Sequence, residues 1–222
     1  MSTPSSPWEW TSTIGGTGFC VTFTHGKTPH EVLACYGADP GRAALHTLYE
    51  SADKYEETSE GTLLRTGPLG RWTFCYEDGV PEGIKTQVLH RLSQGTDTLA
   101  LFKGGDGLVT FTHFHDGNRA AQFEPGRPHT IDGDDPQHFW QAIQIARQPA
   151  DNNGRPVLSI HAALHAIGQH IGADFDTSTL NGSMLTALLP DTDRVPRDIT
   201  TSQPSNGPSR RSLGRAIQAD TQ

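Results

Sequence analysis

Histidine offers this chain most of its chemistry: 11 imidazoles in 222 residues. His161 and His165 stand four apart in VLSIHAALHAIGQHIG, the spacing that lets two imidazoles share a metal ion on one helix face. No Glu follows His161 as in HExxH, and the ridge runs on to Gln169 with no Asp, Glu or Cys to extend it. Val157, Ile160, Leu164, Ile167 and Ile171 form the helix's apolar stripe, and the pair flanks it, so the plainer reading is the edge of a core. No metal and no cofactor is assigned; His161 and His165 stand as the metal-ligand candidates. His113 and His115 share one face of a strand and could join a site with Asp116, although polar residues on a half-exposed sheet face need no such role.

Other chemistries lack their residues. Counted from Asp174, the sixth and twelfth places of a calcium loop hold Thr179 and Leu185 rather than Gly and Glu. The acids of Asp132–Asp135 are accounted for by helix capping. There is no GxSxG, and Gly104-Gly105-Asp106-Gly107 lacks the Lys-Ser/Thr pair of a phosphate-binding loop. Cys20 and Cys75 fall in predicted strands, where a thiol is usually buried and inert. No residue is assigned as catalytic.

The elements that position these residues centre on Arg71–Pro125. Two apolar runs, 97–103 and 108–115, flank the triple-glycine loop, and Asp116-Gly117 then suits a type I′ turn. These make a three-strand antiparallel meander. Phe111 and Phe114 have opposite parity, so either both faces are covered or a bulge near Thr112 shifts the phase. Helices on one face and a partial cover on the other are expected. Upstream, GFCVTFT reads as a strand, and Thr28, Pro29 and Glu31 open a helix that Gly37 ends. Asp39-Pro40 then starts a longer helix with Leu45, Leu48, Tyr49, Ala52 and Tyr55 on one stripe. A strand and helix around Cys75 and Val88 faintly echo those around Cys20 and Val32.

The sequence thus predicts a single α+β domain over 8–189, with a largely antiparallel sheet packed against helices. Strands are expected at 19–23, 71–77, 98–103, 108–115 and 118–123, and helices at 29–36, 41–58, 84–94, 137–147 and 157–171. Residues 1–7 read as a flexible leader. Residues 190–222 hold four prolines and few large apolar side chains, a composition that cannot offset its own ordering entropy and predicts a disordered tail. A short piece around 180–189 is expected to fold back on the body.

Formal net charge is −8, and an acidic body is a poor match for a phosphate backbone. A helix-turn-helix over Ala162–Leu180 is disfavoured further because ADFDTSTL puts acids where phosphates would lie. Three cysteines without a CxxC, and a start without a secretory signal, point to reduced thiols in a cytoplasm. No apolar run is long enough to span a bilayer.

The Trp-containing start, FCVTFTHG, TPHEVLACYGADP, RWTFCYEDG, VLHRLSQGT, the strand pair ending in FEP, and AALHAIGQHIG occur in that order. Together they resemble an actinobacterial family of small proteins carrying a domain of unknown function. The resemblance covers 8–175 and brings no catalytic residues with it. The function expected is a non-catalytic binding or interaction module with a protein or small-molecule partner. The alternative is a metal-assisted hydrolase using the histidines.

Overall fold

The computed structural model describes residues 10–14, 18–55, 61–78, 81–147 and 157–191. One sheet is built from β1 (Phe19–His25), β2 (Ala44–His46), β3 (Gly61–Leu69), β4 (Trp72–Asp78), β5 (Asp97–Lys103), β6 (Val109–His115), β7 (Asn118–Phe123) and β8 (Met184–Pro190). Its order is β2-β8-β3-β4-β1-β5-β6-β7, and every pairing is antiparallel. The helices are α1 (Trp10–Thr13), α2 (Pro29–Tyr36), α3 (Leu48–Tyr55), α4 (Thr86–Ser93), α5 (Gln137–Arg147), α6 (Ser159–Ile171) and α7 (Thr177–Asn181). The α+β class is the observed one. The predicted leader, and the tail beyond Asp191, lie outside the described residues.

Period-2 alternation divides the sheet into two buried faces. Phe19, Val21, Phe23, Tyr76, Leu101 and Phe111 point to the face that α5 and α6 cover. Leu64, Cys75, Ala187 and Leu189 point to the other, where they meet Val32, Leu33 and Tyr36 of α2 and Val88 and Leu92 of α4. Helices therefore cover both faces, more completely than the partial second cover expected. Phe114 is buried on the α4 side with Leu89 and Ala100, while the register between β6 and β7 slips between His113 and Phe114. The slip skips Ala120 of β7 and leaves β6 in phase with β5. Phe111 and Phe114 therefore lie on opposite faces, and the cover on both faces alone buries them.

Local signals act where they were read. Thr28 and Glu31 complete a reciprocal capping box, and Gly37 ends α2 at φ 97°. Asp116 (φ 45°) and Gly117 (φ 77°) make the turn between β6 and β7. The strand–helix echo occupies adjacent positions: β1 pairs with β4, and α2 packs on α4.

The helix expected at 41–58 is corrected. Asp39 caps a single 3-10 turn, Pro40–Arg42, after which Ala44–His46 pairs with β8 as an edge strand. A new helix then starts at Thr47: its N–H donates to Glu50 Oε2 (2.8 Å), and Glu50 N–H donates to Thr47 Oγ1 (3.2 Å). That capping box and the β8 pairing override the periodicity, and Leu45 and Tyr49 end up exposed. Residues 56–58 of that expectation lie outside the described residues.

Two interior strands complete the sheet beyond the five expected. β3 carries Gly67 and Pro68, which read as punctuation, and β8 is inserted between β2 and β3. Arg65 ties this half together from inside the core. Its Nη1 donates to Leu180 O (2.6 Å), and its Nη2 to Gly182 O (3.1 Å) and His46 O (3.4 Å). Burial lowers its pKa to about 10, so the guanidinium stays charged at neutral pH.

Candidate functional site

The candidate site lies on the α5/α6 face, at the start of β5 and the end of β6. The hairpin register sets Asp97 opposite His115 and Leu99 opposite His113. Asp97 Oδ1 meets His113 Nε2 and His115 Nδ1, each at 2.9 Å. An ionised carboxylate only accepts, so a neutral His113 carries its proton on Nε2 and leaves Nδ1 as an acceptor. A neutral His115 likewise leaves Nε2 as an acceptor.

Two helices close the site. α5 contributes His138 and Phe139 at its start, and α6 contributes His170 at its end. Phe139 is buried, with ring centroids 4.8 Å from His170, 5.3 Å from His113 and 5.0 Å from His138. His138 and His170 stand 5.8 Å apart, and His170 is also 5.8 Å from Trp72. The cleft bounded by these residues has a volume of about 530 Å³ and is also lined by Asp116, Asn118, Asp134 and Asp135. That volume lies within the range of small-ligand sites.

Burial lowers the pKa of His113 against the opposing pull of Asp97. Burial, with His138 and His113 nearby, lowers that of His170. Both are therefore neutral at pH 7. Burial pushes the Asp97 carboxyl up, but the two imidazole hydrogen bonds outweigh it, and the net shift is downward. At neutral pH the ionised Asp97 carboxylate thus faces a neutral His113 ring, with neutral His170 packed on the same Phe139.

His113, His115 and Asp116, the trio read from the sequence, all line this cleft. His161 and His165 lie elsewhere and do not share a partner. His161 Nε2 is 3.0 Å from Thr11 Oγ1, and His165 Nε2 is 2.9 Å from Gln169 Nε2. Among the described residues, no three His, Cys, Asp or Glu side chains are arranged to hold a metal ion. Asp97, His138 and His170 were missed. Asp97 was recoverable, because a hairpin closing at Lys103 and Val109 pairs it with His115. The two helix residues carry no local signal, since only tertiary packing brings the start of α5 beside the end of α6.

A second polar cluster lies sealed under α2. Glu77 accepts backbone N–H groups from Glu82 (2.5 Å) and Gly83 (2.6 Å) and the Tyr36 hydroxyl (3.2 Å). Thr22 Oγ1 lies 2.9 Å from that hydroxyl. Burial raises Glu77 to about 7 despite the N–H donors. Burial also pushes the Cys20 and Cys75 thiols well up, with Glu77 adding to it. Both cysteines are free and fully buried, which makes them poor nucleophiles.

A family model described as "Family of unknown function (DUF6461)" matches residues 1–171, and the chain belongs to that family. The match ends with α6, so it takes in every wall of the cleft but not α7 or β8. No curated protein and no solved structure matches the chain.

Proposed function

We propose that this member of the family of unknown function is a binding module whose ligand seats in the His113–Asp97 cleft. One observation carries the reading. Residues up to 73 positions apart (Asp97 and His170) converge on one cavity floored by Phe139. A few placed polar groups over an aromatic floor is the usual make-up of a ligand site. The partner is a small molecule or a side chain presented by another protein, and the reading includes a cytoplasmic setting and an actinobacterial source. Among the described residues, no helix is long and apolar enough to cross a membrane.

A second reading is hydrolysis. The Asp97–His113 pair has the form of an oriented general base, and neutral His113 has an acceptor nitrogen for a water proton. Binding is preferred because, among the described residues, no Lys or Arg lines the cleft to stabilise the negative charge that hydrolysis develops.

The test is a fragment screen by ligand-observed NMR on the intact protein. Hits should be lost in Asn118→Trp, whose indole fills the cleft mouth, and kept in the His161→Gln/His165→Gln double variant. Hits that survive Asn118→Trp would place the ligand site elsewhere. Turnover of an ester or amide that His113→Gln abolishes would replace binding by hydrolysis.

A further inference from the structure

We propose that the cleft selects an organic cation, a primary ammonium or guanidinium group on an apolar stem. This rests on the cleft being the ligand site and adds the chemistry it reads. The first support is the charge of the walls. Asp97, Asp116, Asp134 and Asp135 line the cavity, and among the described residues no Lys or Arg does. Two of the lining imidazoles, His113 and His170, are held neutral and do not offset these carboxylates at neutral pH. An anion entering here would lose hydration and meet no opposite charge.

The second support is hydrogen-bond polarity, which Asp97 fixes. Asp97 takes one proton-bearing nitrogen from each of His113 and His115, so the remaining nitrogen of the neutral His113 ring accepts. A ligand rich in N–H donors satisfies that acceptor, and a carboxylate or phosphate, which only accepts, does not. The third is the pattern of commitment. Asp116 Oδ1 already receives Gly95 N–H (3.0 Å), whereas the exposed Asp134 and Asp135 carboxylates hold no hydrogen bond or ion pair to any described residue. They precede α5 and offset the positive end of its dipole, while α6 directs its negative end to the same side. Phe139 and the rings around it form an apolar floor for the stem.

Benzylamine, benzyl alcohol and benzoate share one ring and differ in charge, so they separate these terms. Binding at pH 7.5 is read from the imidazole Cε1–H resonances of His113, His138 and His170 in the full chain. Benzylamine should bind at least about tenfold more tightly than benzyl alcohol, and benzoate should move none of the three signals. Asp134→Asn/Asp135→Asn should weaken benzylamine about tenfold and leave benzyl alcohol unchanged. Both positions are exposed, and unshifted core methyl resonances confirm that the fold is kept. Benzoate binding as tightly as benzylamine, or three equal affinities, overturns the cation class while leaving the cleft as a binding site. No movement of any cleft imidazole with any probe overturns both.

Discussion

Asp97 receives two imidazoles on one oxygen, and the balance between that contact and burial sets the state of His113. Burial lowers the His113 pKa and Asp97 raises it, so the native imidazole should titrate below the ordinary histidine value. Asp97→Asn removes the opposing pull and should move the titration lower still, read from the Cε1–H shift against pH. An unchanged or higher midpoint would mean that the carboxylate does not hold that ring. Glu77 has the opposite consequence for stability. Its folded pKa, about 7, lies above the unfolded carboxyl value. Its contribution is therefore fully present below the unfolded value and is lost as pH rises through 7. The shift corresponds to at most about 3 kcal/mol. Urea midpoints should fall between pH 5 and pH 8 in the native chain, and the fall should be much smaller in Glu77→Gln. Parallel pH profiles for the two proteins would show that Glu77 is not the titrating group.

At the scale of elements, the Glu77 cluster and Arg65 each fix a connection to the sheet. A Cβ on Gly83 would lie 2.5 Å from the Tyr36 hydroxyl, 2.9 Å from Thr22 Cγ2, and within contact of Glu77 Oε1. Gly83→Ala must therefore displace the turn that leads into α4, and about 2 kcal/mol of destabilisation is expected. Arg65→Ala leaves the carbonyls of Leu180 and Gly182 without their donor. It should cost about 3 kcal/mol, with amide exchange accelerating first in α7 and β8. Equal acceleration across the sheet would show that Arg65 does not act locally.

Elements marked by local chemistry were legible. The Thr28–Glu31 box, the Asp116-Gly117 turn and the meander follow from residues close in sequence, and each signal agrees with the tertiary fold. The 41–58 helix failed because Leu45, Leu48, Tyr49 and Ala52 fit a helical stripe while Thr47 held a competing cap inside it. β3 was hidden because Gly67 and Pro68 read as a break, and buried Arg65 breaks the apolar pattern. Its partner β8 lies more than a hundred residues away, a distance at which pairing leaves no local trace. The same division runs through the cleft: the strand residues were accessible through hairpin register, and His138 and His170 were not.

For the whole molecule, the strand order makes the last described segment part of the core. β8 lies between β2 and β3, although the family match ends before it. A chain ending at Asp191 is expected to keep the native thermal midpoint, in keeping with a single domain over 8–189. One ending at Asn181 removes an interior strand and should not fold. If that shorter chain melted cooperatively near the native midpoint, β8 would be an accessory rather than a member of the sheet. The same order places β5, β6 and β7 at the far side from β8, joined to β4 through β1, so the cleft should keep its ligand behaviour in the Arg65 variant below its melting temperature. The proposed binding site is the cavity between the meander and the α5/α6 pair. The most direct test is a crystal structure of the full chain soaked with the fragments found by NMR. Density between Asp97, His113, His138 and His170, in contact with Phe139, is the predicted result. An empty cleft with the same fragments ordered at another surface would contradict it.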